Sequence, residues 1–396
     1  MKTSILCFSV IVSLIFLSSC TGVQTEIMSE TKMLSSPYVD PDTMRQDEII
    51  HLPTGTFLTK PELFDLLVDN KIIFVGEGHD NIYDHQVELE VIKTLFQRFP
   101  DRVAVGFEML SHANQEKIDR WLQNELTEDD FIRLFAADWG VANFVYYREI
   151  FAFLKANQIP IRALNVSRSE KMEVMHAAAA SEKSSPVISD PYQEKALQAM
   201  FKGHTKGHGN IDIFLEVLKL WETTMALNIS DYLTSPEGAD KILVVFAGGF
   251  HVAQGFGLPR RVFQLVKADY CTLLTHTPPD MVENERRMMD VDFPDLPLYL
   301  CDYLWCVPYR NLKDKQARLG VGLEKGEKGI RIVMVEAESV AAGHGLEVGD
   351  LIIAGDGKSL SDPIALSILL LRKNKGEMIT LEIERNNKIQ IVKILL

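Results

Sequence analysis

Cysteine is scarce in this sequence, and clusters of basic residues are missing from it. Five cysteines among 396 residues are too few for a disulfide scaffold of this size. No Cys-x-x-Cys pair occurs, which argues against a zinc ribbon and a covalently attached c-type haem. Lysine and arginine number 41 against 55 acidic residues, a formal net charge of −14. A phosphate backbone would be repelled, so we expect no nucleic-acid partner.

Long hydrophobic runs are also rare, and the amino terminus holds the clearest one. Lys2 precedes an apolar run over residues 5–17, which is too short for a comfortable membrane span and is typical of a secretory signal. The tetrad Leu17-Ser18-Ser19-Cys20 resembles the bacterial lipobox, which implies a signal peptide over residues 1–19 and a lipid-modified Cys20. A plain signal peptide with an incidental cysteine is the alternative.

The composition of the next segment predicts a tether between the lipid and the folded domain. Residues 20–47 are polar, contain Ser35-Ser36-Pro37 and Asp40-Pro41-Asp42 and have no hydrophobic period, so we expect a flexible segment. We therefore expect a lipid-anchored protein of the cell envelope, at the outer membrane. In the oxidising compartment that secretion implies, Cys301 and Cys306 could pair or remain two solitary buried thiols.

Beyond about residue 60, short apolar runs alternate with amphipathic segments. This alternation predicts an α/β fold, a mainly parallel sheet with helices on both faces. Residues 85–99 and 144–156 have helical periods, and a further strand is expected near residues 270–274. Residues 167–233 contain helical patterns without a convincing strand, which predicts a helical cap inserted beside the sheet. The expected boundaries of this α/β domain are residues 48–312.

Four of the predicted strands end in a polar residue or a glycine-rich turn. Ligands of open α/β sheets bind outside the carboxyl ends of the strands, where loops converge. The sequence therefore predicts one cleft that gathers two carboxylates, an amide and an imidazole: Glu77, Glu108, Asn165 and His251.

The densest segment of this predicted cleft is Gly76-Glu77-Gly78-His79-Asp80, with His85 following. Glu77 and His79 could bind a metal, form a general-base pair or cap the next helix. With Glu108 and His251 they could form a mixed oxygen and nitrogen site for a divalent metal.

These motifs resemble the ChaN-like haem-binding uptake lipoproteins, relatives of Tiki proteases and erythromycin esterases. The resemblance extends in family order over roughly residues 50–310. It includes Phe74 to Asn81 with Asp84-His85-Gln86, Gly106 to Leu110, Asp138-Trp139, Tyr146-Tyr147, Ala163-Leu164-Asn165 with Arg168, Trp221 to Ala226, and Ala247 to His251. One position departs from the family pattern, since Glu222 stands where an aspartate is expected.

The resemblance implies non-covalent haem binding between cap and sheet, a part in haem and iron uptake, and a homodimer linked by haem. Haem needs an apolar lining, an axial ligand and cations for its propionates. Tyr146 and Tyr147 are axial candidates, and His204 and His208 are rivals on a glycine-rich loop. Arg168 and Lys206 could meet the propionates.

The sequence pattern changes after Pro308. Gly345-Leu346-Glu347-Val348-Gly349-Asp350, followed by Gly355-Asp356-Gly357, resembles a PDZ domain, which we expect over residues 313–396 as a small β-rich domain. Such domains bind an extended peptide by strand addition, with a glycine loop capturing the terminal carboxylate. Leu319, Gly320, Val321 and Gly322 form the expected loop. The alternative is a domain that packs on the first and binds no peptide.

Three functions remain open from the sequence. The favoured one is a lipid-anchored haem-binding protein whose PDZ domain recruits a protein or peptide partner. The second is a metal-dependent hydrolase of peptide or ester bonds, in which Glu77 and His79 would be catalytic and Glu108 and His251 would complete the metal site. The third is a binding scaffold whose cleft is vestigial.

Overall fold

A computed structural model describes residues 37–179, 188, 190–202, 211–284, 298–313 and 315–396. The predicted signal peptide and Cys20 lie outside the described residues, as does the loop with His204, Lys206 and His208. Within the described part of the chain, no helix combines the length and apolar character that crossing a bilayer requires.

The larger of two sheets has eight strands. They are β1 (Ile49–His51), β2 (Thr56–Leu58), β3 (Ile72–Glu77), β4 (Val103–Ser111), β5 (Ile161–Asn165), β6 (Ile242–Gly248), β7 (Tyr270–His276) and β8 (Tyr303–Cys306). Their order is β2-β1-β8-β7-β3-β6-β4-β5. The six strands from β8 to β5 are parallel, whereas β1 and β2 form an antiparallel edge. The expected mainly parallel sheet is confirmed, and the antiparallel edge is an addition to it.

Ten helices accompany this sheet in the described residues. They are α1 (Lys60–Leu67), α2 (Ile82–Arg98), α3 (Gln115–Leu122), α4 (Glu128–Trp139), α5 (Phe144–Ala156), α6 (Arg168–Ala179), α7 (Pro191–Lys202), α8 (Ile211–Thr234), α9 (Gly249–Val252) and α10 (Leu258–Leu265). Helices α6 to α8 lie between β5 and β6 in the chain, where the cap insertion is predicted.

The sheet is covered on both faces because successive strand residues point to opposite sides. In β3, Ile73 and Val75 join one apolar core, which includes residues of α1 to α5. Ile72 and Phe74 join a second core, which includes residues of α8 to α10. All six residues of β3 are buried, and this explains its continuous apolar sequence.

Two sequence expectations need adjustment at the amino-terminal end and at the cysteines. Part of the predicted tether belongs to the fold, since Pro41–Thr43 form a 3-10 turn and Met44 is buried in the second core. The amide of Asp47 donates to the carbonyl of Cys306 at 2.9 Å, which ties this segment to β8. Cys301 and Cys306 are free, buried thiols and do not pair.

The second sheet is antiparallel and built from the last 80 residues. Its strands are β9 (Val321–Lys325), β10 (Ile330–Val335), β11 (Leu351–Gly355), β12 (Lys358–Ser359), β13 (Met378–Arg385) and β14 (Lys388–Leu395), with helices α11 (Val340–Gly343) and α12 (Pro363–Leu371). The main order is β14-β13-β11-β10-β9, so β9 lies at one edge. A small β-rich domain was expected at this position.

Helix α12 connects the two domains. Its Leu366 is buried in the core of the small domain, whereas Ile368 is buried in the first core of the large domain. Arg133 of α4 donates to Asp362, the residue that caps α12, at 2.9 Å. The two domains therefore share one helix between their cores.

Candidate functional site: a histidine–carboxylate cluster at the strand ends

Three neighbouring parallel strands place polar residues at the carboxyl-terminal end of the sheet. Glu77 is the last residue of β3, Glu108 lies towards the end of β4, and His251 follows β6 within α9. Because β6 pairs with both β3 and β4, these residues emerge side by side. The structure thus brings together three of the four predicted strand-end residues.

Glu77 is the centre of the first half of the cluster. Its Oε1 lies 2.6 Å from Nδ1 of His79 and also accepts a hydrogen bond from the hydroxyl of Tyr147. The side chain of Glu77 is fully buried, whereas that of His79 is 17% exposed. The ring of Trp139 meets the His79 ring edge-on, with centroids 4.9 Å apart. His79 is therefore oriented by Glu77 and lies nearer the protein surface.

His251 is the centre of the second half, between two carboxylates. Its Nε2 lies 3.3 Å from Oε1 of Glu108, and its Nδ1 lies 2.9 Å from Oε1 of Glu222. The other oxygen of Glu108 accepts the amide hydrogen of Gly248 at 2.7 Å. Since both ring nitrogens face carboxylate oxygens, His251 donates on both sides when it is protonated.

Gly248 joins the two halves because it has no side chain. A Cβ atom at this position would lie 2.8 Å from Nε2 of His79 and 3.6 Å from Oε2 of Glu108. The φ angle of −53° is available to any residue, so the requirement for glycine is the close approach of His79. The imidazole of His79 thus packs directly on the end of β6.

The carboxylates favour the protonated form of both histidines. Burial lowers the pKa of His251, but Glu108 and Glu222 outweigh burial and raise it to about 10. Burial likewise lowers the pKa of His79, but Glu77 and Glu108 outweigh this effect and raise it above the ordinary value. Burial raises the pKa of Glu108, and His251 reverses the shift and lowers it. The pairing thus favours the charged forms of Glu108 and of both histidines.

The cap contributes Glu222, which stands where the family pattern has an aspartate. Besides His251, Glu222 accepts from Nε2 of Gln193 at 2.8 Å and pairs with Arg261 at 2.7 Å. Gln193 in turn accepts from Arg261 at 2.8 Å. The longer side chain therefore keeps a fixed hydrogen-bonding role, and it connects helices α7, α8 and α10 to His251.

A deeper layer lies beneath Glu77. Nδ1 of His85 is 2.8 Å from Oε2 of Glu88, and Nε2 of His85 is 3.3 Å from the carbonyl oxygen of His79. Asp84 accepts from the amide of Gly78 at 2.6 Å. Burial raises the pKa of Asp84 to about 7, although this hydrogen bond opposes the shift. Burial lowers the pKa of His85, and Glu77 opposes that shift.

Of the remaining predicted residues within the described part of the chain, Tyr147 contacts the cluster through Glu77, whereas Asn165, Arg168 and Tyr146 lie apart from it. Asn165 is on the edge strand β5, and its Oδ1 accepts the amide hydrogen of Val166 at 2.8 Å. Arg168 is exposed at the start of α6. Tyr146 and Tyr147 are both buried in the first core. The hydroxyl of Tyr146 accepts from the amide of Leu312 at 2.8 Å, and that of Tyr147 donates to Glu77.

Aromatic rings lie beside both histidines of the cluster. Trp221 of α8 lies with its ring centroid 6.3 Å from that of His251, and Nζ of Lys171 is 4.2 Å from the centre of the Trp221 ring. The rings of Phe214 and Phe250 are 6.4 Å apart, and Phe214 is 38% exposed. Together with Trp139, these rings place apolar surface between the cap and the strand ends.

Sequence reasoning missed several residues of the site. Glu88 has a detectable signal, because it is a carboxylate on the apolar face of α2, three residues after His85. Arg261 was given no role, because an arginine within an amphipathic helix is ordinarily a solvent-exposed charge. Tyr147 was predicted as a ligand of iron, and its contact with Glu77 has no signal in sequence spacing.

The expected peptide loop lies at the start of the open edge strand β9. Leu319 is buried, and its carbonyl accepts from the amide of Ala341 at 2.9 Å. Gly320 has a φ of +75°, and a Cβ there would lie 2.4 Å from that of Ser339, so only glycine suits this turn. Gly322 lies in β9, which packs beside α12.

Comparison with known proteins agrees with this architecture. The sequence profile described as "Haem-binding uptake, Tiki superfamily, ChaN" matches residues 63–262, and a PDZ domain profile matches residues 317–396. No protein with curated annotation matches the chain.

Two solved structures are similar to parts of this chain. The structure titled "Cofacial heme binding to ChaN of Campylobacter jejuni" is 15% identical, covers 66% of this chain and 96% of its own, and has a TM-score of 0.50, which shows a common fold. A serine endoprotease from Yersinia pestis is 23% identical over 21% of this chain and 29% of its own, with a TM-score of 0.19. The profile over residues 63–262 covers half of the sequence, and the chain therefore belongs to the ChaN haem-binding uptake family of the Tiki superfamily, with a PDZ domain following the family domain.

Proposed function

We propose that this chain is a lipid-anchored haem-binding protein that takes part in haem or iron uptake and recruits a protein partner through its PDZ domain. The observation that carries the proposal is the aromatic mouth of the cluster, where Trp139 lies against His79 and Trp221 against His251. This mouth lies between the strand ends and the cap, which is the location that the family resemblance implies for haem.

The residues at the mouth fit the chemistry of haem. Haem is a flat apolar disc with two carboxylates, so it needs aromatic or apolar surface and nearby cations. Trp139, Trp221 and Phe214 supply partly exposed rings. Lys171, beside Trp221, and the exposed Arg168 supply cations on α6. Bound haem would supply its iron as cargo, and these side chains would hold and orient it.

The hydrogen bonds of the two tyrosines argue against both of them as the axial ligand of haem iron. Both tyrosine hydroxyls face inward, since Tyr147 donates to Glu77 and Tyr146 accepts from Leu312. Using either hydroxyl on iron would require breaking a buried hydrogen bond, which costs about 1–3 kcal/mol. We therefore favour an imidazole ligand from His204 or His208 on the glycine-rich loop.

Anchoring and location rest on the amino terminus. The lipobox-like tetrad that ends at Cys20 supports lipidation, and Thr21 is not the aspartate that retains lipoproteins at the inner membrane of enteric bacteria. Acyl chains contribute about 0.8 kcal/mol for each buried CH₂, so more than one chain gives stable attachment. An outer-membrane anchor would present the haem mouth within the cell envelope.

The PDZ domain supplies the proposed partner site. Strand β9 is an open sheet edge beside helix α12; Leu319 and Gly320 precede it, and Val321 and Gly322 are its first residues. This arrangement suits an extended peptide that adds a strand to β9 while the loop amides bind a terminal carboxylate.

Haem titration tests the proposal. Purified full-length protein in detergent should give a shifted Soret band that saturates at a fixed ratio of haem to protein. Gly248→Ala should weaken binding about tenfold, which is ~1.4 kcal/mol, because the new methyl group displaces His79 at the floor of the mouth. Gly343→Ala is the matched control, since a Cβ there meets nothing within 4 Å. Absence of a saturable Soret shift would falsify haem binding.

The hydrolase alternative has less support from the geometry. A protonated imidazole has no lone pair for a metal, and the carboxylates beside His251 raise its pKa to about 10. His79 is likewise paired with Glu77 at 2.6 Å. A Glu77→Ala variant that loses a measured peptidase or esterase activity would reverse this preference.

A further inference from the structure

Three donor atoms converge in the layer beneath the cluster, on the side of Glu77 away from His79. Glu77, His85 and Glu88 each offer one ligand atom, and these atoms all lie within 4.8 Å of one another. Their side chains are 0%, 1% and 0% exposed. Two fully buried carboxylates are costly unless a positive species accompanies them.

The orientation of His85 turns Nδ1 towards both carboxylates. Its Nε2 lies 3.3 Å from the carbonyl oxygen of His79. A carbonyl only accepts, so Nε2 donates to it, and Nδ1 is the ring nitrogen available to a cation between the carboxylates. That Nδ1 is 2.8 Å from Oε2 of Glu88 and 3.7 Å from Oε2 of Glu77.

Two buried oxygens in this layer accept from no nitrogen or hydroxyl donor. Oε2 of Glu77 and Oε1 of Glu88 are buried, and no N–H or O–H group of the described residues donates to either. The two carboxyl groups face each other, and a proton shared between them is the alternative to a bound cation. The hydroxyl of Tyr147 and the ring of His79 bind the other oxygen of Glu77.

Asp84 also faces this layer and adds a further acidic group. The layer thus combines an imidazole nitrogen with buried acidic oxygens that lack a donor, and such oxygens are rare.

We propose that Glu77, His85 and Glu88 bind a divalent transition-metal cation, zinc or manganese, at a site separate from the haem mouth. One imidazole and two carboxylates suit such ions. Ligand bonds of about 2.0–2.2 Å place neighbouring ligand atoms roughly 3–3.5 Å apart, close to the observed 2.8 and 3.7 Å. The hydrogen bond from His85 to the carbonyl of His79 is the outer contact that a metal-binding imidazole normally makes.

This site would stabilise the floor of the mouth. Glu77 has one oxygen for the ion and one for His79 and Tyr147, so a bound ion would hold the carboxylate that orients His79. The ion would lie beneath the sheet edge and would not be the iron of haem.

Metal analysis of the full-length protein, prepared without haem, tests this inference. After chelator treatment and dialysis, we expect the wild-type protein to take up one equivalent of Zn²⁺ or Mn²⁺, as measured by elemental mass spectrometry. The midpoint of its thermal unfolding should rise when the metal binds. Glu88→Gln should weaken uptake at least tenfold. Glu90→Gln is the control, because Glu90 lies on the same helix but binds Lys60 at the surface. The control should match the wild-type protein.

Anomalous diffraction at the X-ray absorption edge of the metal locates the ion in the wild-type protein. This test therefore does not depend on whether a variant folds. A peak between Glu77, His85 and Glu88 supports the inference. A peak at His79 and His251, or no metal uptake by the wild-type protein, overturns the inference. A proton shared between Glu77 and Glu88 would then lie between the two carboxyl groups. Because the measurement uses protein without haem, its outcome is independent of the Soret titration.

Discussion

At the scale of residues, the site depends on buried charges that satisfy one another. His251 lies between Glu108 and Glu222, and Arg261 balances the second of these carboxylates. Removing one member of a buried pair is more damaging than replacing an exposed charge, since the partner is left uncompensated. Glu222 is therefore expected to matter for folding as well as for the position of His251.

We expect Glu222→Gln to destabilise the protein by about 3–5 kcal/mol at neutral pH, because Arg261 and His251 both lose an ionic partner. Urea denaturation measures this change. Glu216→Gln is the control on the same helix, since Glu216 is 35% exposed and pairs with Lys219 near the surface. Equal stability of the two variants would contradict the assigned role.

The same network predicts a pH dependence. The pKa of His251 is raised in the folded state to about 10 from an ordinary 6.5, so its contribution to stability is full below about pH 6.5 and is lost as the pH rises towards 10. The free energy of unfolding of the wild-type protein should fall across this window. In Glu222→Gln the fall should be shallower, because the pKa of His251 moves back towards its ordinary value.

Single residues also show what a sequence can predict about this site. Glu77, Glu108 and His251 were predicted to meet because each comes at the end of a parallel strand, and adjacent strands bring their ends together. Asn165 satisfies the same rule but lies on the edge strand, which the order of strands in the chain does not reveal. Contacts made through helices, such as Tyr147 with Glu77, depend on packing that has no local pattern.

At the scale of elements, the long apolar strands and amphipathic helices were predictable, whereas short pieces were not. Strands β1 and β2 have three residues each, too few for a recognisable period. The predicted tether extended to Asp47 because residues 37–47 are polar, yet Met44 is buried. Tertiary packing, rather than local propensity, determines these segments.

Helix α12 is the element that joins the two domains, and its sequence Pro363–Leu371 is apolar nearly throughout. A helix that is apolar on several faces is buried on several faces. Leu366 packs into the small domain and Ile368 into the large one. The same helix borders the proposed peptide groove beside β9. Its packing makes the PDZ domain part of one folded unit with the α/β domain.

We expect Ile368→Ala to destabilise the docking of the two domains by about 2–5 kcal/mol, because the substitution leaves a cavity in the large core. Differential scanning calorimetry should show one thermal transition for the wild-type protein and two for the variant. Ile389→Ala is the control, since Ile389 is 66% exposed on β14. A single unshifted transition in Ile368→Ala would contradict the shared core.

At the scale of the whole molecule, the haem mouth and the PDZ edge belong to different domains. The mouth lies under α6 to α8, whereas the open strand β9 lies beside α12. Helix α12 contacts α4, the helix that ends at Trp139. The proposed haem mouth and the proposed peptide edge therefore use different surfaces, and we expect haem and a peptide to bind without direct competition.

The proposed haem-linked homodimer is a property of the whole molecule. The family resemblance implies a homodimer linked by haem. If each protomer of this chain holds haem at its aromatic mouth, haem should bring two mouths together. Sedimentation velocity of the Cys20→Ser protein should then show the monomer without haem and twice that mass with one haem per protomer. Gly248→Ala should shift the transition to higher haem concentration, because His79 is displaced. A monomer at saturating haem would rule out haem as the link between protomers and would leave the Soret result intact.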